Sequence, residues 1–162
     1  MKYLTHSEAD TLRFAGRLAE LLRPGDAVLL HGDLGAGKSV FARGVARALG
    51  VTGAMPSPTF TLLIPYEGRQ KLYHFDLYRL NDPEEFYAAG LDEFIGGDGI
   101  AMIEWPEMAE EAMPQSALTV TLTYTEDGLA RCAQLTPGGA FDESRIAQIL
   151  THMEEDDEHP DD

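Results

Sequence analysis

The segment Gly32-Asp33-Leu34-Gly35-Ala36-Gly37-Lys38-Ser39 fits the pattern G-x-x-x-x-G-K-[ST]. It constrains the chain more than any other feature. An apolar run, Ala27-Val28-Leu29-Leu30, precedes it, and a helical pattern over residues 38–49 follows, with Gly50 placed to end that helix. Glycines let backbone N–H groups curl around an anion without a Cβ in the way, and the helix behind them aims its N-terminal dipole at the same charge. At average residue usage such a pattern is expected roughly 0.005 times in a chain of this length, so a chance glycine turn with an incidental lysine is the weaker reading. The phosphate-binding residues expected from it are Asp33, Leu34, Gly35, Ala36, Gly37, Lys38, Ser39 and Val40, with Lys38 reaching the β- and γ-phosphates and the Ser39 hydroxyl ligating Mg²⁺.

A site of this kind needs acids at the ends of neighbouring apolar strands to complete the magnesium shell. Two fit: Glu104, closing Ile100-Ala101-Met102-Ile103, and Asp76, closing Leu72-Tyr73-His74-Phe75. The pattern leaves open which holds the metal and which orients an attacking water. Ser57-Pro58-Thr59-Phe60-Thr61 offers hydroxyls on a proline-bent loop, as switch segments do, so Thr59 and Thr61 are further candidates against the plainer reading of an ordinary loop. Trp105 adjoins Glu104. It lines the nucleotide or a partner surface, against the better reading of a core residue, the direction in which strand alternation would turn it. Arg43 and Arg79 are weighed as transition-state cations against salt bridges, the better reading. His31 and His74 read as strand residues outside any metal cluster, and Cys132 as a small core residue.

Other segments set the frame. Ser7 caps a helix over residues 8–22, stopped by Arg23-Pro24-Gly25-Asp26. Residues 60–66 and 71–75 read as a hairpin, 83–89 as a short helix with Pro83 at its first position, 118–124 and 129–135 as a second hairpin, and 141–152 as a closing helix. The order α-β-loop-α-β-β-α-β-β-β-α predicts an α/β fold: a small single-domain P-loop NTPase with a mixed β-sheet flanked by helices. The domain is expected over residues 1–152, followed by an acidic, disordered tail over 153–162.

The 162 residues carry 12 basic and 28 acidic side chains, a net charge of −16, and seven of the acids fall in residues 154–162. Nucleic-acid footprints are basic, so no strong direct binding to nucleic acid is expected, nor docking on anionic lipid. No apolar run approaches the ~18 residues of a membrane span. Met1 to Asp10 lacks the apolar core of a signal peptide, and one cysteine permits no internal disulfide, so a cytoplasmic location is expected. N-K-x-D and D-x-x-G, which mark GTPases, are absent, leaving ATP as the default nucleotide. The arginines are too scattered for the lid of a small-molecule kinase, although such a kinase and a non-hydrolysing nucleotide sensor remain the alternatives.

Four ordered motifs together resemble the bacterial ATPase family TsaE, also called YjeE. They are the glycine loop through Ser39; Ser57-Pro58-Thr59-Phe60-Thr61-Leu62; His74-Phe75-Asp76-Leu77-Tyr78-Arg79-Leu80; and Glu104-Trp105-Pro106-Glu107. The resemblance spans residues 7–114. Ser39 stands where the family commonly has threonine, and it keeps the hydroxyl. The resemblance implies a part in making N6-threonylcarbamoyladenosine on tRNA, with a TsaD-type transferase and a TsaB-type protein as partners. It also implies that ATP binding and hydrolysis reset the transferase complex between turnovers. Lys38, Asp76 and Glu104 would be the catalytic residues. Ser39, Asp76 and Glu104 would be the metal ligands, and Thr59, Thr61 and Trp105 would join the nucleotide site.

Overall fold

The computed structural model describes residues 1–33, 35–56, 58 and 61–158, with side chains as far as residue 155. Leu34, Ser57, Thr59, Phe60 and residues 159–162 lie outside the described residues.

Seven strands form one sheet in the order β1-β7-β6-β2-β5-β4-β3. They are β1 (Lys2–Thr5), β2 (Ala27–His31), β3 (Leu63–Glu67), β4 (Lys71–Asp76), β5 (Gly99–Glu104), β6 (Leu118–Tyr124) and β7 (Arg131–Thr136). The middle four, β6-β2-β5-β4, are parallel, while β1, β7 and β3 pair antiparallel at the flanks. All six residues of β5 are buried, as are five of the six in β4, as expected for strands covered on both faces.

Alternation along the strands builds two cores. Val28, Leu30, Leu72, Ile100, Met102 and Val120 face the helices α1 (Glu8–Glu20), α2 (Lys38–Ala48) and α4 (Glu143–Glu158). Tyr73, Phe75, Ala101 and Ile103 face α3 (Pro83–Ala88) and the 3₁₀ turns Leu91–Phe94 and Pro106–Ala112. Helices α1 and α2 cross closely at Gly44, where a Cβ would come within 2.8 Å of the Ala15 Cβ. Only glycine lets the helices approach that far.

The local signals hold where local chemistry sets them. The Ser7 hydroxyl accepts the Asp10 N–H at 3.0 Å and starts α1. Asp82 caps α3, with Pro83 inside its first turn. Gly50 takes a left-handed φ of 86° after α2.

Three expectations differ. β1 was not foreseen, because Lys2-Tyr3-Leu4-Thr5 is too short to show a period and becomes a strand by pairing with β7. The closing helix runs Glu143–Glu158, through the boundary expected at residue 153, and Met153 is buried against the first core. Burial of Met153 accounts for the first residue past the expected helix end, whereas residues 154–158 continue the helix without an apolar side chain. Cys132 is half-buried, not a core residue, because it lies near the sheet's edge opposite Leu4 of β1.

Candidate functional site

The parallel strands end along one edge of the sheet, the edge where open α/β sheets bind ligands. β2 lies between β5 and β6, and the glycine loop leaves its end. Asp76 closes β4 and Glu104 closes β5 in direct register, and Glu104 is also the register partner of Leu30. Because β7 runs antiparallel to β6, its first residue, Arg131, sits opposite Tyr124 at the same edge.

These ends enclose a cavity of about 440 Å³ lined by Gly35, Gly37, Lys38, Ser39, Val40, Asp76, Tyr78, Glu104, Trp105 and Arg131. Thus the loop, both strand-end acids and Trp105 converge. Asp33 and Ala36 belong to the loop's turn, with the Ala36 N–H on the Asp33 carbonyl at 3.0 Å, without lining the cavity. Thr61 is exposed and lies off the lining, while Leu34 and Thr59 fall outside the described residues.

Lys38 opens α2 behind Gly37, whose φ of 103° favours glycine. The ammonium is buried and has no hydrogen-bond partner among the described residues. It stands 3.5 Å from the centre of the Trp105 ring. Burial pushes its pKa below the ordinary lysine value, opposed by the negative charges of Glu104, Glu107, Asp76 and Asp33. A buried ammonium lacking an acceptor is costly unless an anion completes it.

Lys38, Asp76 and Glu104 are each under a tenth exposed, at 6%, 7% and 6%. His74 Nε2 lies 2.7 Å from Glu104 Oε2, a buried contact that fixes one oxygen of the carboxylate. Asp76 Oδ1 accepts the Tyr78 N–H at 3.0 Å. Two carboxylates and the Ser39 hydroxyl give hard oxygen donors on one cavity, the chemistry that Mg²⁺ prefers, with waters and phosphate oxygens completing its shell. Among the described residues no cluster of three His, Cys, Asp or Glu side chains suits a metal by itself.

Trp105 resolves the alternative left open by the sequence. Its φ of 57° and ψ of 49° are left-handed, so the chain turns sharply after β5 and the indole swings under Lys38, packing at 4.9 Å on Tyr78. Left-handed backbone is a true outlier for so bulky a residue and costs of order 1–3 kcal/mol, held here by the surrounding contacts. Arg43 pairs with Glu8 at 3.5 Å on the surface, as the plainer reading of it has it.

The sequence reading missed three participants. His74 was placed on a strand face without a role, although its position two before Asp76 puts it on the same face. Tyr78, two residues after Asp76, joins through the turn that bonds its N–H. Arg131 carries no local signal at all.

The family model described as "Threonylcarbamoyl adenosine biosynthesis protein TsaE" matches residues 5–133. The chain belongs to the TsaE family. Among TsaE relatives, the "tRNA threonylcarbamoyladenosine biosynthesis protein TsaE" of Treponema pallidum is 41% identical over 79% of this chain and 95% of that protein. The protein of the same name from Bacillus subtilis is 40% identical over 78% of this chain and 80% of that one. The crystal structure of Bacillus subtilis YdiB superposes with a TM-score of 0.82 at 33% identity, covering 94% of this chain and 95% of that one. This likeness carries the same small α/β architecture with its mixed sheet. No helix among the described residues is long and apolar enough to cross a membrane.

Proposed function

We propose that this TsaE-family protein is a P-loop ATPase that binds and slowly hydrolyses Mg-ATP to drive the cycle of a complex making threonylcarbamoyladenosine on tRNA. The observation that carries the reading is the buried Lys38 ammonium, without a hydrogen-bond acceptor among the described residues and beside two buried carboxylates at the mouth of a glycine loop.

Lys38 is assigned to the β- and γ-phosphates, and the backbone from Gly35 to Ser39 to the phosphates nearer the nucleoside. Ser39, Asp76 and Glu104 would hold Mg²⁺ directly or through water, and a metal held there would supply positive charge beside the phosphates. Glu104, steadied by His74, and Asp76 orient the attacking water between them. Trp105 and Tyr78 form an aromatic wall that limits water beside the phosphates.

Relatives named for tRNA threonylcarbamoyladenosine biosynthesis support the pathway. A chain of net charge −16 does not suit a polyanion, so its effect on tRNA passes through protein partners, a TsaD-type transferase and a TsaB-type protein, in the cytoplasm. Hydrolysis then resets the complex, and partner docking speeds it.

The test is ATP turnover by the purified protein with and without the two partners, for wild type and Lys38→Ala. Mg²⁺-dependent ADP release that rises with partners and vanishes in a folded Lys38→Ala protein is expected. Unchanged turnover in that variant would remove the phosphate-site assignment, and phosphorylated metabolite in place of free phosphate would make the protein a kinase.

A further inference from the structure

Arg131 is the charged cavity-lining side chain that the proposed ATPase cycle leaves without a task. Its stem lies across the glycine loop, since a Cβ on Gly37 would meet its Cδ and Nε at 3.3 Å. Its Nε is buried and has no hydrogen-bond partner among the described residues. One terminal nitrogen, Nη2, donates to the Tyr124 hydroxyl at 3.4 Å, and the guanidinium carbon stands 5.3 Å from the Tyr124 ring. That hydroxyl in turn donates to the Gly35 carbonyl at 2.6 Å. Among the described residues no carboxylate pairs with Arg131, in a chain where acids outnumber bases by more than two to one. A buried guanidinium donor left open beside a phosphate loop fits an anion.

The sheet order says which end of the nucleotide it meets. Asp76 and Glu104 lie on β4 and β5, on one side of β2, while Arg131 lies on β7, beyond β6 on the other side. The metal and the γ-phosphate belong with the acids. The loop backbone against which Arg131 packs cradles the α- and β-phosphates. Resting on the ATP-site reading above, we propose that Arg131 is a nucleotide-binding residue whose guanidinium contacts the α-phosphate from the β7 side, opposite the metal ligands. It sets affinity for adenine nucleotides of either length and takes no part in stabilising the transferring phosphoryl group.

Calorimetric titration of Mg-ATP and Mg-ADP into wild type, Arg131→Ala and Arg131→Gln tests this, together with turnover at saturating ATP. The expected result is a loss of about tenfold in affinity, equal for ATP and ADP, as for one charge-assisted contact. kcat should change little, and log Kd should depend less steeply on log salt, because a charge that met phosphate is gone. Arg131→Gln keeps most of the stem over Gly37 and carries the test if Arg131→Ala does not fold. Unchanged Kd in a folded variant overturns the contact. So does a loss confined to ATP, or a fall in kcat with Kd held, either of which turns the residue toward the γ-phosphate. An unaltered salt slope assigns the effect to loop support and also overturns it. Wild type that binds neither nucleotide removes the ATP-site reading itself, whereas wild-type binding with unaltered Arg131 variants removes only this inference.

Discussion

Lys38 and Trp105 meet in a cation–π contact, with the ammonium 3.5 Å from the centre of the indole ring. The contact exists because Trp105 adopts a left-handed backbone immediately after Glu104. Such a contact contributes about 0.5–2 kcal/mol, depending on desolvation. A triphosphate in the loop offers the same ammonium charge-assisted hydrogen bonds, which are stronger. The indole is therefore a parking place for Lys38 that an anion can outcompete.

Trp105, the only tryptophan, should accordingly report nucleotide binding through its fluorescence. Titration with Mg-ADP or a non-hydrolysable ATP analogue should shift or change its emission as Lys38 leaves the ring. Lys38→Ala should alter the emission of the free protein. A flat signal at saturating nucleotide, with binding confirmed by calorimetry, would show that the pair stays together.

His74 should matter for turnover more than for binding. It fixes Glu104 Oε2 at 2.7 Å in a buried site and does not line the main cavity. Removing the partner that orients a functional carboxylate typically costs about 10–100-fold. His74→Ala should lower kcat by about tenfold while Kd for ATP moves much less. Equal effects on both, or none on kcat, would deny Glu104 its dependence on the imidazole.

Affinity should fall as pH rises into the alkaline range. Burial lowers the Lys38 pKa in the free protein, and bound phosphate raises it again by favouring the charged form. Below the free-state pKa the ammonium is already charged and binding takes up no proton there. Between the free and bound pKa values binding must protonate Lys38, so Kd weakens with each step up in pH. Calorimetry in two buffers of different ionisation enthalpy should show proton uptake in that window. A Kd independent of pH across it would contradict the coupling.

The end of α4 should divide sharply into a structural and a dispensable part. Met153 is buried, and Glu154 and Glu155 beyond it are exposed. Truncation after Met153 should leave the melting temperature and ATP affinity close to wild type. Met153→Ala should cost about 2 kcal/mol in chemical denaturation, the lower range for deleting a buried methionine side chain. A truncation that destabilises as much as Met153→Ala would show that the acidic segment also packs.

The glycine loop, the helix after it and the two strand-end acids were legible in the chain because each rests on neighbours in sequence. Backbone freedom, dipole and strand alternation act over a few residues, and so do the caps at Ser7, Asp82 and Gly50. Membership of the loop could be read from its spacing, and the mixed sheet from the order of its elements.

Tertiary structure decided what spacing cannot encode. β1 exists through its pairing with β7, and Arg131 reaches the loop only because β7 returns antiparallel beside β6. His74 gained a partner when β4 and β5 came into register. Trp105 escaped the alternation of its own strand through one left-handed residue, a backbone choice that local propensity disfavours and long-range contacts impose. α4 holds its register past residue 152 because Met153 found a core to enter. In each case the deciding energy comes from residues far apart in sequence, which the chain brings together only on folding.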